Sequence, residues 1–394
     1  MPEMNPALAN QFNTTLEKVK PTSILTFDRK VSAIPGIVKL TVGEPDFAVP
    51  EVGKQAAIAA IENDDSHYAP GTGSQALRQA ISHFMADRYQ LDYDPNSEIA
   101  VTIGATEAIF TSLFSLINPG DEVLIPTPTF PLYATVATMV GGVPVSVELP
   151  APNFVLTPDL LKQALADHPK AKALVLNYPG NPTGTTYTAD QLKALAAVLK
   201  ETKLVVIADE IYSELTYGVK HVSLASFLPG QTLILNGASK SGAMTGYRIG
   251  FIAGPAALMK KLIMVHSILI TAPSDPAMAA AVPLFGSEAG KQATEEMRQA
   301  YQERRDFLTA AFTRLGFEVA SPAGAFYLFV KLPASQGTAD VAFATKAAEE
   351  AAVAMVPGSF FGAGGAGYLR LSYATSMDKL HLAVDRLEKF LKEA

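Results

Sequence analysis

Between residues 99 and 253 the chain returns seven times to a short apolar run bounded by Gly, Pro, Asn or a charged residue, at 99–103, 122–125, 143–147, 173–177, 204–208, 232–236 and 249–253. Short runs with so little polar alternation predict strands buried on both faces. Several are separated by segments with helical spacing, such as 105–117 and 189–200. Alternation of strand and helix predicts a mostly parallel sheet covered by helices on both sides. The expected fold class is therefore α/β with a seven-stranded sheet. In such sheets ligands bind beyond the carboxyl ends of the strands, so the residues after each run are where chemistry is expected.

After about residue 285 the texture changes. A long charged helix over about 287–315 precedes strands at 317–320, 326–331, 353–356 and 368–373, with helices near 338–352 and 376–392. That is an α+β unit. At 394 residues the chain exceeds the size at which one core usually stops growing. Two domains are expected: a large one over 46–285, and a smaller one built from 286–394 with the N-terminal segment 1–45, which is too short to fold alone. Ser74 is placed to cap a helix whose Leu77, Ala80, Ile81, Phe84 and Met85 share one face.

Several functional classes fall away. With 31 basic and 38 acidic residues the net charge is −7, and no clustered Lys and Arg offers itself to a phosphate backbone, so no nucleic-acid partner is expected. The absence of cysteine removes disulfides, thiolate metal sites and a Cys nucleophile. The six histidines show no ligand spacing, so no metal site is expected. Residues 1–20 are polar throughout and do not read as a signal peptide, no apolar run spans a membrane, and the cytoplasm is the expected location. Two glycine patterns, Gly71-Thr-Gly73-Ser-Gln-Ala76 and Gly362-Ala-Gly364-Gly-Ala-Gly367, lack the strand-turn-helix context of a dinucleotide site. The apolar run ending in Asp209-Glu210 has the form of a magnesium motif, but no phosphate loop accompanies it. No G-x-S-x-G elbow occurs.

One loop survives. Gly237-Ala-Ser-Lys240-Ser-Gly-Ala-Met-Thr-Gly-Tyr-Arg248 joins two apolar strands and carries one Lys and one Arg among small residues. A surface turn with two solvated cations is the plain reading. The small neighbours and flanking apolar strands, however, allow a cofactor to approach closely and leave the amine partly desolvated. An amine so placed near a second cation has a lowered pKa and attacks aldehydes.

From Leu40-Thr-Val-Gly43-Glu-Pro-Asp-Phe to Leu369-Arg370-Leu-Ser-Tyr, six motifs stand in one order: His67-Tyr68-Ala-Pro-Gly71, Gly104-Ala-Thr106-Glu-Ala, Pro179-Gly-Asn181-Pro-Thr-Gly184, Ala208-Asp209-Glu-Ile-Tyr212, Ser239-Lys240 with Arg248, and Pro357-Gly358-Ser. In these the sequence resembles the class I/II aminotransferases of fold type I, the family of aspartate and aromatic aminotransferases. The resemblance implies pyridoxal 5′-phosphate as cofactor, carried covalently on Lys240, which also moves the proton between the substrate Cα and the cofactor. It implies Asp209 as partner of the protonated pyridine nitrogen, although an Asp there also reads as a helix cap. Tyr212, three residues on and so on the same side of a helical turn, resembles the tyrosine that bonds the cofactor's phenolic oxygen, and Asn181 shares that oxygen. The Asn-Pro-Thr-Gly segment reads equally as a plain turn. Phe130 sits where the family stacks an aromatic ring on the pyridine, and as a lone aromatic it reads equally as core.

For the phosphate, the helix expected directly after strand 99–103 offers the free N–H groups of Ala105 and Thr106, and Arg248 a planar fork. The family supplies Tyr68 from a neighbouring subunit, which implies a homodimer. Gly237 lies where many relatives carry Ser or Thr, so one phosphate contact fewer is expected. Arg370, alone on an apolar strand, must meet an anion. The resemblance makes that the substrate α-carboxylate, with Asn181 and Gly43 also at the substrate; a structural salt bridge is the other reading.

The implied reaction is ping-pong transfer of an amino group from an L-amino acid, aromatic, aspartate or related, to a 2-oxo acid such as 2-oxoglutarate. The stretch 267–273 has no arginine for a distal carboxylate, which favours a bulky side chain. The rivals are a C-S β-lyase using the same cofactor, and an effector-binding module of a regulator, for whose basic DNA-binding domain this acidic chain has no room.

Overall fold

The computed structural model describes residues 1–19 and 23–393. The N-terminal segment contributes β1 (Val38–Lys39). The seven apolar runs become β2 (Ile99–Ile103), β3 (Glu122–Thr127), β4 (Val143–Glu148), β5 (Ala171–Asn177), β6 (Val205–Asp209), β7 (Thr232–Gly237) and β8 (Ile249–Ala253). They form one sheet in the order β2-β8-β7-β6-β5-β3-β4. Every pairing is parallel except those of β8, which is antiparallel to both β2 and β7. Because this single strand is reversed, β8 starts at the edge where its neighbours end.

Both faces of the sheet are covered, and the two-residue period of a strand sorts its side chains between them. In β2, Ile99 and Val101 pack with residues of the helices Gln75–Tyr89 and Asp275–Gly286, whereas Ala100 packs with those of Gly104–Leu116 and Ala256–Ile270. Ser74 caps the first of these helices, its hydroxyl accepting from the Leu77 N–H, and all five residues expected on its inner face are buried.

Beyond the 27-residue helix Glu288–Arg314 come β9 (Glu318–Val319), β10 (Tyr327–Lys331), β11 (Val353–Ala354), β12 (Val356–Pro357) and β13 (Tyr368–Ser372). Four of these form an antiparallel sheet ordered β12-β13-β10-β9. The run expected as one strand over 353–356 is two, interrupted at Met355: β11 pairs in parallel with β1, and β12 pairs with β13. A run of apolar residues does not reveal which partner each half will find. Residues of 27–40, the long helix and this sheet share one core.

Candidate active site

At the carboxyl edge of the large sheet lies a cavity of about 450 Å³. Gly43, Ala105, Thr106, Phe130, Asn181, Asp209, Tyr212, Lys240, Arg248 and Arg370 all border it. They are scattered along the chain, and the topology explains why most of them converge: parallel strands end here, and β8 begins here. Tyr68 is the exception. It stands 89% exposed and outside the cavity.

Lys240 follows β7 in the four-residue helix Ala238–Ser241. Its Nζ donates to the Gly43 carbonyl at 2.6 Å and lies 5.7 Å from the Tyr212 ring and 5.6 Å from that of Phe326. Burial lowers the ammonium to about 8, against the pull of Glu44 and with a further push from Arg370. Near neutral pH such an amine loses its proton far more readily than a solvated lysine.

Asp209 closes β6 and is 3% exposed. Burial raises its carboxyl to about 6, while a hydrogen bond from the Tyr133 hydroxyl at 2.7 Å and one from the Ile211 N–H at 3.2 Å hold it down. No helix succeeds it. Residues 211–214 form a turn in which the Ser213 N–H bonds the Glu210 carbonyl, so Tyr212 does not share a helical turn with Asp209 as expected: this non-helical turn brings it to the cavity instead. The next residue, Glu210, points to the other side of the strand. There its carboxylate accepts from Tyr178 at 2.9 Å and Ser223 at 2.6 Å and pairs with His221 at 2.8 Å. A buried acid so fully engaged is structural, which disposes of the magnesium-motif reading of Asp209-Glu210.

The helix Gly104–Leu116 starts directly at the end of β2, and Ile103 offers no side-chain cap to its first turn. The N–H groups of Ala105 and Thr106 therefore face the cavity edge with the positive end of the helix dipole. Arg248, with φ of 56°, lies over this turn: a Cβ on Gly104, whose φ is 70°, would come within 2.5 Å of its Nη2. Arginine and helix terminus thus lie together, an arrangement that favours an anion, with Arg248 Nη1 donating to the Thr245 carbonyl at 2.8 Å. Gly237 faces the strand beside it. A Cβ there would stand 2.6 Å from the Gly250 Cα and from the Ile249 carbonyl, which is why Ser or Thr has no room.

Arg370 is 3% exposed. Nη2 donates to the Thr41 carbonyl at 2.5 Å and Nη1 to Asn181 Oδ1 at 3.2 Å, while Nε has no partner among the described residues. The guanidinium lies 4.6 Å from the ring of Tyr327 and 5.1 Å from that of Phe361. Its partners are neutral, so a salt bridge does not account for it. A buried cation with an unfilled donor at a cavity wall fits an incoming carboxylate. Phe130 borders the cavity, edge-on to Tyr133 at 6.0 Å.

Tyr133 and Tyr327 were not among the residues expected here. Tyr133 stands three residues after Phe130 at the start of the helix Leu132–Met139, a spacing that puts both on one side of a turn and was readable. Tyr327 begins β10 with no local signal at all.

A buried lysine of lowered pKa, a buried acid, a helix start under an arginine and an arginine with an unfilled donor thus border one cavity. The chain belongs to the aminotransferase class I and II family, whose model matches residues 35–387. It is 39% identical to the probable N-acetyl-LL-diaminopimelate aminotransferase of Bacillus subtilis, over 96% of this chain and 95% of that one. It is 38% identical to the aromatic-amino-acid aminotransferase 2 of Thermococcus litoralis, over 96% and 97%. Among solved structures, the Thermus thermophilus aspartate aminotransferase with maleate matches with a TM-score of 0.91 at 36% identity, over 96% of this chain and 99% of that one. The protein is an aminotransferase, of a family that uses pyridoxal phosphate.

Proposed function

We propose that the protein transfers the amino group of an L-amino acid with a bulky side chain to a 2-oxo acid such as 2-oxoglutarate, by a ping-pong route on pyridoxal 5′-phosphate attached to Lys240. The observation that carries this is the shared cavity in which Lys240, Asp209 and Arg370 converge on the helix terminus under Arg248. The bound cofactor supplies an electron sink for the bond broken at the substrate Cα. The protein does the rest. Lys240, half neutral at a pH near its own pKa of about 8, is the base that takes the Cα proton and returns it. Asp209 keeps its charge against the ring nitrogen, and Tyr212 and Asn181 address the phenolic oxygen. Ala105, Thr106 and Arg248 would hold the phosphate, and Phe130 would pack on the ring. Arg370 grips the α-carboxylate, with Asn181 and Gly43 shaping the substrate's place. Tyr68 reaches the phosphate of a second subunit in a homodimer.

The bulky side chain is supported by Ile24, Leu25 and Ile109 on the cavity wall and by the lack of arginine in 267–273. The division into a domain over 46–285 and one joining the N-terminal segment to the chain beyond 285 is supported by the β1–β11 pairing and the shared core.

The test uses one amino acid and no oxo acid. Transfer yields one equivalent of oxo acid per site and stops, whereas a C-S lyase turns over continuously to pyruvate and ammonia. Borohydride treatment should fix the cofactor's mass on Lys240, and Lys240→Ala should lose essentially all turnover. A Lys240→Ala variant as active as its parent ends this reading.

A further inference from the structure

Tyr327 is 1% exposed and none of the roles above uses it, yet it touches three of the groups that have one. Its hydroxyl lies 2.9 Å from that of Tyr212, and the two rings meet edge-on at 5.8 Å. The same hydroxyl lies against Gly43, where a Cβ would come within 2.8 Å of it, and the Gly43 carbonyl is the acceptor for Lys240. The face of its ring lies under the Arg370 guanidinium at 4.6 Å. It is the first residue of β10, so its backbone is held by pairing with Ser372 of β13, two residues from Arg370.

Two phenol hydroxyls in contact share one hydrogen bond, and only one of them donates to the other. If Tyr212 donated, its proton would be spent on Tyr327 and only its lone pairs would face the cavity. If Tyr327 donates, the Tyr212 proton is free to point into the cavity. The surroundings choose between these. Apart from each other, neither hydroxyl has a hydrogen-bond partner among the described residues, so the choice falls to the charge beside the rings. The Arg370 cation beside the Tyr327 ring favours electron withdrawal from that phenol and strengthens it as a donor. Burial pushes both hydroxyls above the ordinary tyrosine range, so both are protonated at neutral pH.

We propose that Tyr327 is a positioning residue for amino transfer: its hydroxyl donates to Tyr212 and thereby aims the Tyr212 proton at the cofactor's phenolic oxygen, while its ring forms the platform that holds Arg370 for the substrate carboxylate. The inference rests on the cofactor reading of the site. It assigns one side chain two separable duties, the hydroxyl acting on the proton affinity of the bound cofactor and the ring acting on substrate binding. A donor that accepts a hydrogen bond itself donates more strongly, so the pair lowers the pH at which the bound cofactor gives up its proton.

Tyr327→Phe removes the hydroxyl and keeps the ring; Tyr327→Leu removes both. In the cofactor-loaded protein, the pH midpoint of the visible absorption change should rise in both variants, by about 0.5 unit for loss of one neutral hydrogen bond. In Tyr327→Phe, kcat should fall about fivefold with KM for the amino acid within about twofold of the parent, whereas Tyr327→Leu should also raise KM. The double variant Tyr212→Phe/Tyr327→Phe should have the midpoint of Tyr212→Phe alone, because Tyr327 acts through Tyr212. If either single variant of Tyr327 titrates like a parent that shows the band, or if the double variant moves beyond Tyr212→Phe, the assignment is overturned. A parent protein loaded with pyridoxal phosphate that shows no visible band instead sinks the cofactor reading, and this inference with it. Either Tyr327 variant suffices for the midpoint, so poor folding of one leaves the test intact.

Discussion

At the scale of single residues, the site is governed by burial opposed by chosen hydrogen bonds. Asp209 shows it most directly: removal from water pushes its carboxyl up to about 6, and the Tyr133 hydroxyl works in the other direction. Pairing with a protonated ring nitrogen needs the carboxylate, which becomes scarcer as pH falls through the Asp209 pKa. Cofactor affinity of the cofactor-free protein should therefore weaken below about pH 6. In Tyr133→Phe the carboxylate loses a donor, its pKa rises, and the weakening should begin about one unit higher, since a hydrogen bond to a charged group contributes about 1.5 kcal/mol. Titrating pyridoxal phosphate into both proteins from mildly acidic to mildly alkaline pH checks this; coincident profiles would remove Tyr133 from the account. Lys240, Asp209, Arg248 and Arg370 were legible as residues because each is a charge embedded in an apolar or small-residue run. Tyr133 had only its three-residue spacing from Phe130 to mark it and Tyr327 nothing local, because a tyrosine in a core-like stretch carries no such contrast, and their importance comes from partners 76 and 115 positions away.

At the scale of elements, six of the seven strands were legible because each is apolar on both faces and ends at Gly, Pro, Asn or charge; β4, at the sheet edge, buries Val145 and Val147 but exposes Val143, Ser146 and Glu148, so the expectation of a strand buried on both faces is corrected there. The reversal of β8 was not legible, since an apolar strand carries no mark of its direction. That reversal has a local cost in space. Gly237 at the end of β7 faces Gly250 of β8 so closely that a Cβ would stand 2.6 Å from the opposite Cα. The Gly237 backbone is extended, with φ of 165°, so sterics and not conformation require glycine. Gly237→Ser, which the family pattern suggests as an added phosphate contact, should here destabilise the fold by about 1–3 kcal/mol, the usual cost of overpacking. A lowered urea midpoint at an unchanged slope, with a stability loss of that size and no tighter cofactor binding, is the expected result. An unchanged midpoint with tighter binding would mean that the two strands separate to admit the hydroxyl.

At the scale of the whole molecule, one expected residue is missing from the cavity of its own chain, and its position says where else it can act. Tyr68 is 89% exposed on a loop whose Gly71 packs against Ser267 and Thr271 of the neighbouring helix and turn. That same helix, Ala256–Ile270, leaves Ile268 79% and Met264 55% exposed, apolar surface of the kind a subunit interface covers. No sequence pattern separates a tyrosine used within its chain from one used across a two-fold axis, because the pattern records only position along one chain. Hybrid dimers do separate them. Tyr68→Ala and Lys240→Ala homodimers should each be severely impaired. In a dimer with one chain of each kind, a tyrosine acting across the interface places both defects in one site and leaves the other intact, restoring about half of the parent activity per dimer, as the exchange of equivalent positions under two-fold symmetry requires. A tyrosine acting within its own chain would put one defect in each site, and the differentially tagged, purified hybrid would then be no more active than the mean of its two parents.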